Sequence, residues 1–305
     1  MKELHGTFKS TSGLCDVHYY FYLPENPKAA VILSHGMCEY ISRYKEFAQY
    51  LCDSDIALCG CDHIGHGNSV SDEDMLGYFG DKNGHIRMVQ DLHRMKLVAE
   101  RKLPHIPHFL IGHSMGSFVA RTYLARYRDR LSGAILMGTA GPVQWLDALH
   151  AYLSGICLYD GGRWRYDSGM GLAMGVFNLR SQNHRMRFDW LSRDDRNVDR
   201  FLADPKCNFV FTAAGCRDLV AMLIQCNLPQ VVSRTRKDIP LLFLSGGMDP
   251  VGEFGTGARR ACRMYQQTGC EALLRVYREA RHELLFELNK AEVMSDILKF
   301  LVKRI

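Results

Sequence analysis

With 305 residues, 47% of them hydrophobic, the chain is long enough for one large core carrying an inserted subdomain, and its composition argues against a disordered or fibrous protein. The formal charge of +5 is spread among interleaved acidic residues, so no basic arm or stripe offers a grip on nucleic acid. Its 11 cysteines, odd in number and without repeated CxxC or Cys/His spacing, argue against a disulfide framework and a structural zinc site.

In chain order, residues 1–10 are polar and lack the apolar stretch of a secretory signal. No later segment approaches the ~20 apolar residues that span a bilayer, so a cytoplasmic protein is expected. The first β-rich run is Val17 to Tyr22, and an apolar one, Ala30 to Ser34, follows. A helical pattern from Ser42 to Asp53 leads to the strand Ile56 to Cys61, and another from His85 to Lys102 leads to the strand Phe109 to Gly112. Helix Met115 to Tyr127 and strand Gly133 to Met137 complete this half.

The rhythm then breaks. Residues 141–235 are helical in pattern, Gly- and Met-containing, without a convincing core strand, and read as a helical cap inserted into a core made of residues 1–140 and 236–305. Strand Leu241 to Ser245, helix Ala258 to Gln267, strand Leu273 to Tyr277 and helix Lys290 to Lys303 resume the alternation. In the last helix Val293, Met294, Ile297, Leu298 and Leu301 form one apolar stripe, fit to pack on a sheet. Strands apolar throughout and alternating with helices define an α/β class: a mostly parallel, doubly wound sheet with right-handed crossovers.

Within that frame Gly112-His113-Ser114-Met115-Gly116 is a GxSxG motif directly after a strand and directly before a helix, the context that marks a nucleophile elbow of the α/β-hydrolase fold. A serine hydroxyl is a weak nucleophile and needs a base within reach. In this fold the chain order is Ser, acid, His, each on a loop at the carboxyl end of a strand. Of 13 histidines only His282 lies between the final strand and the final helix; Asp249 follows the strand Leu241 to Ser245, with Glu253 in the same loop as reserve. His35, His63, His66 and His113 lie upstream and read as loop scaffolding. A tetrahedral intermediate needs donors for its oxyanion; the N–H of Met115 follows the serine, and the Ser34-His35-Gly36-Met37 turn aims the N–H of Met37 at the same point. Cys38, next in the chain, reads as a buried, inert thiol.

These motifs make the sequence recognisable. It resembles the monoacylglycerol lipase and lysophospholipase-like branch of the α/β-hydrolases, also grouped with serine aminopeptidase-like hydrolases. The resemblance covers nearly the whole chain and rests on SHGMCEYISRY at Ser34 to Tyr44, DHIGHGNS at Asp62 to Ser69, FLIGHSMGS at Phe109 to Ser117, and WLSRD at Trp190 to Asp194. It is extended by MDPVG at Met248 to Gly252 and RHELLFELN at Arg281 to Asn289, segments more like bacterial members. What it implies is carboxylic-ester hydrolysis by Ser114, Asp249 and His282, with Met37 and Met115 as oxyanion donors and no metal or organic cofactor. In monoacylglycerol lipases the Glu and Arg of the HGxxExxxR stretch line the pocket for the polar head; here they are Glu39 and Arg43. Those lipases also carry a second histidine three residues after the catalytic one, where this chain has Leu285.

The expected partner is a small-molecule ester, lipid-like as a monoacylglycerol or lysophospholipid is. An amidase or aminopeptidase using the same triad, or a non-catalytic ligand-binding homologue, stands as the alternative. In the cap, Ser168 to Leu179 and Leu219 to Leu228 carry apolar residues at helical spacing, fit either to wall an acyl chain or to pack the cap on the core. Arg163, Arg165, Arg180, Arg185 and Arg187 offer transient contact with a membrane surface, diluted by Asp160, Asp167 and Asp189 toward an ordinary solvated face.

Overall fold

Residues 1–158, 161–169, 177–178 and 185–305 are described in the computed structural model. An antiparallel pair comes first, β1 (Lys2–Lys9) and β2 (Asp16–Leu23), in register from Lys2 opposite Leu23 to Lys9 opposite Asp16. The sequence reading places no strand before Val17. The reason lies in KELHGTFK itself, an edge strand that alternates exposed with half-buried residues and shows little of the apolar run that marks a covered strand.

The centre of the sheet is built from β3 (Ala29–Ser34), β4 (Ile56–Cys61), β5 (His108–His113), β6 (Gly133–Met137) and β7 (Leu241–Gly246), in which every residue is buried. With the edge strand β8 (Ala272–Tyr277) they complete an eight-stranded sheet in the order β1-β2-β4-β3-β5-β6-β7-β8, parallel from β4 through β8. Alternate side chains serve opposite faces. Ala30 and Ile32 join the core beneath α2 (Gly84–Lys102), α3 (Met115–Arg126) and α7 (Thr256–Gln267), while Val31 and Leu33 join that beneath α1 (Lys45–Cys52) and α8 (Lys290–Val302). The order turns back at β3: the chain crosses to β4 on one side and then returns past β3 to β5 on the other. The carboxyl ends of β3 and β5 therefore open a crevice at the point where doubly wound sheets place ligands.

Between β6 and β7 the chain runs through α4 (Leu146–Ile156), α5 (Asp195–Ala203) and α6 (Ala213–Cys226). Helix α6 lies against α2 and α3, and its Asp218 accepts from Gly84 N–H at 3.2 Å and from His85 Nδ1 at 2.8 Å. In Leu219 to Leu228, Val220, Met222 and Cys226 are buried in the main core. Most of Ser168 to Leu179 lies outside the described residues, as do Asp160 and Arg180. Other arginines of this segment are engaged within the protein: Arg165 donates to the carbonyls of Leu76, Asp74 and Val210, and Arg185 pairs with Asp199 at 2.9 Å. Among the described residues no helix is long and apolar enough to cross a membrane.

Candidate active site

Ser114 caps α3 directly after β5, with φ 51° and ψ −121°, a strained conformation for a residue with a side chain. The turn holds because its flanks are bare. A Cβ on Gly112 would stand 2.5 Å from the Gly116 carbonyl oxygen, and one on Gly116 would stand 2.0 Å from that of Ser34. Helix α3 and the loop after β3 thus approach at backbone distance. The Ser114 N–H donates to Met137 O at 2.9 Å, tying the elbow to β6.

Three residues far apart in sequence meet here. His282 Nδ1 is 2.9 Å from Asp249 Oδ1, and His282 Nε2 is 2.8 Å from Ser114 Oγ. An ionised carboxylate only accepts, so Nδ1 carries the proton, and Nε2 is left to accept from the serine hydroxyl. Asp249 is fully buried, and its Oδ1 also accepts from Val251 N–H at 2.9 Å. The reserve acid Glu253 is turned away and pairs with Arg260.

The loop after β3 brings Met37 to the same place. A Cβ on Gly36 would stand 3.0 Å from Ser114 Cβ, so this backbone lies directly on Ser114. Met37, Ser114 and His282 share a narrow cavity of about 30 Å³ with Phe188, Trp190 and Leu191. Met115 is buried, and its N–H belongs to the first turn of α3, where no intrahelical partner exists. Cys38 is also buried; its thiol donates to Phe209 O at 3.4 Å, and burial pushes its pKa up, away from a reactive thiolate.

Glu39 lines the site and Arg43 stands behind it, and the Glu39 carboxylate and both Arg43 Nη atoms have partners within the protein. Glu39 is 1% exposed and accepts from Gly36 N–H, from Tyr44 Oη–H at 2.9 Å, from His113 Nδ1 at 2.8 Å and from Arg43 Nη1 at 3.0 Å. Burial alone would raise its pKa, but the charges of His113 and Arg43 and the His113 hydrogen bond hold it below the usual carboxylate range. For His113 burial works downward and is outweighed by Glu39, so its pKa is raised. Its Nε2 faces the His282 carbonyl at 3.4 Å, so both ring nitrogens point at acceptors, the arrangement of an imidazolium. Arg43 is fixed from its other side by Glu283, at 2.8 and 3.2 Å. Sequence reasoning passed over Glu283. Its adjacency to His282 in the RHE segment was the available signal.

A fold of this topology, with a serine elbow and a buried Asp–His pair at its mouth, defines an α/β-hydrolase. From residue 25 to residue 289 the chain matches the family described as serine aminopeptidase, S33, and it belongs to that family. It is 25% identical to the monoacylglycerol lipase of Mycolicibacterium smegmatis over 303 residues, which span 98% of this chain and 97% of that one. Over 282 residues it is 28% identical to the monoglyceride lipase of Rattus norvegicus, covering 89% of this chain and 80% of that protein. The crystal structure of a highly thermostable carboxyl esterase from Bacillus coagulans, in complex with glycerol, superposes with a TM-score of 0.92 at 29% identity, covering 100% of this chain and 99% of that one. The chain is a monoacylglycerol-lipase-like α/β-hydrolase, in class a carboxylic ester hydrolase.

Proposed function

We propose that this chain cleaves lipid-like carboxylic esters, monoacylglycerols or lysophospholipids, through an acyl-enzyme on Ser114. The observation that carries the reading is the continuous relay Asp249–His282–Ser114, with contacts of 2.9 and 2.8 Å. Neutral His282 takes the Ser114 proton as Oγ attacks the ester carbonyl, and the N–H groups of Met37 and Met115 receive the oxyanion. His282 then returns the proton to the departing alcohol. A water, deprotonated by the same imidazole, cleaves the acyl-enzyme and regenerates the serine.

Residues 141–235 act as a cap in this reading, and Phe188, Trp190 and Leu191 supply its apolar wall beside Ser114. The same cavity is lined by Met37 and Phe201, so apolar side chains from both the loop after β3 and residues 188–201 face Ser114. Turnover of a monoacylglycerol, a lysophosphatidylcholine, a short p-nitrophenyl ester and a matched amide tests the proposal. The lipid esters should be hydrolysed and the amide spared. Cleavage of the amide alone would replace this reading with an amidase.

A further inference from the structure

Glu283 takes no part in the relay, yet its carboxylate is fully occupied. Oε1 accepts from Arg43 Nη1 at 2.8 Å, and Oε2 accepts from Arg43 Nη2 at 3.2 Å and from Asn197 Nδ2 at 2.6 Å. Arg43, held between the rings of Phe201 and Phe286, also donates to Glu39 Oε2 at 3.0 Å. Glu39 in turn holds the N–H of Gly36, the residue before Met37. An unbroken path of ion pairs and hydrogen bonds therefore runs from the neighbour of His282 to the neighbour of Met37.

The sheet alone does not set the spacing of those two loops. They leave β8 and β3, which are separated by β5, β6 and β7. An imidazole and an oxyanion donor must serve one tetrahedral centre at once, and a misplacement of about 1 Å can cost roughly a hundredfold in rate. Well-packed apolar side chains would hold the loops at lower desolvation cost, so stability alone does not account for buried charges here. Their fixed lengths and directions do.

We propose that Glu283 is a positioning residue: through Arg43 and Glu39 it sets the distance between His282 and the Met37 N–H, and through Asn197 it registers α5 against both. The proposal rests on the function assigned above. The rival role for this cluster is to bind the polar head of the substrate.

The test measures kcat and KM for a short p-nitrophenyl ester and for a monoacylglycerol in wild type, Glu283→Gln, Glu39→Gln and the double variant, with thermal midpoints alongside. On the short ester kcat should fall about tenfold or more in each single variant with KM within about twofold, and the double should be no slower than the slower single. Where a midpoint drops, Glu283→Asp, which keeps the charge but shortens the reach, replaces Glu283→Gln and should show the same kcat loss. Losses that multiply, an unchanged kcat, or a loss confined to KM for the monoacylglycerol overturns the proposal. Ser114→Ala run in parallel separates the failures: if it turns over ester like wild type, the assigned function falls and takes this inference with it.

Discussion

The two sides of the Ser114 site are held in different ways. On the sheet side the backbone does the positioning, since Gly112 and Gly116 bring the end of β5, the start of α3 and the loop after β3 to distances that admit no Cβ. On the far side, the 189–197 segment is tied to the loop bearing His282 mainly by side chains. Arg281 donates to the carbonyls of Asp189 and Ser192, Ser192 Oγ to Phe286 O, Arg193 to Glu287, and Asn197 to Glu283. The first kind of construction fails outright when an atom is added. The second loosens one tie at a time.

The largest effect is expected at Ser114, the proposed nucleophile. Ser114→Ala should lower turnover by roughly a million-fold while the thermal midpoint stays near wild type. A Cβ on Gly116 collides with the Ser34 and His35 carbonyls at 2.0 and 2.4 Å, so Gly116→Ala must displace the loop carrying Met37. Loss of Met37 as the proposed oxyanion donor should cost roughly 10²–10³-fold in kcat, and a near-wild-type rate would show that backbone spacing does not govern this side.

At Glu287, which anchors the far side, the expected effect is on stability first. Glu287, whose side chain is inaccessible, accepts from the N–H groups of Arg193, Arg281 and Leu288 and from Arg193 Nε at 2.9 Å. Glu287→Ala should cost about 3 kcal/mol in urea unfolding, with kcat reduced far less than in Gly116→Ala. Equal losses of activity in the two variants would erase the distinction.

Per unit of pH, the smallest effect concerns acid. Burial pushes His66 from 6.5 down to about 3, and burial likewise lowers the nearby His35 and His63. Below about 6.5 the unfolded chain binds a proton that His66 refuses in the fold, so its contribution to stability falls as pH drops toward 3, by about 1.4 kcal/mol per unit. His66 stacks on Phe79 at 5.5 Å, and His66→Phe should keep that contact while flattening the acid slope by one such increment. An unchanged slope would place the acid sensitivity elsewhere.

What sequence could foresee follows the same division. Gly112, Ser114 and Gly116 lie within five consecutive residues, and Asp249 and His282 each follow a strand, so local spacing and strand order encode their meeting. Arg43 and Glu283 are 240 residues apart, and no periodicity records that one guanidinium joins them. The motif alone therefore places Glu39 and Arg43 at the pocket for the polar head, and nothing local records that Glu39, which lines the cavity, also holds Gly36, Tyr44, His113 and Arg43. Apolar spacing in α6 did not say which surface it served, and the helix turned out to lie on α2 and α3. Strand β1 escaped for the opposite reason, because pairing with β2 rather than burial fixes it.

Covalent labelling reaches the central claim most directly. Treated with a fluorophosphonate and mapped by mass spectrometry, the protein should carry one adduct, on the peptide containing Ser114, and Ser114→Ala should carry none. A wild-type protein that hydrolyses ester yet takes the label on another residue, or stays unlabelled, would contradict the account.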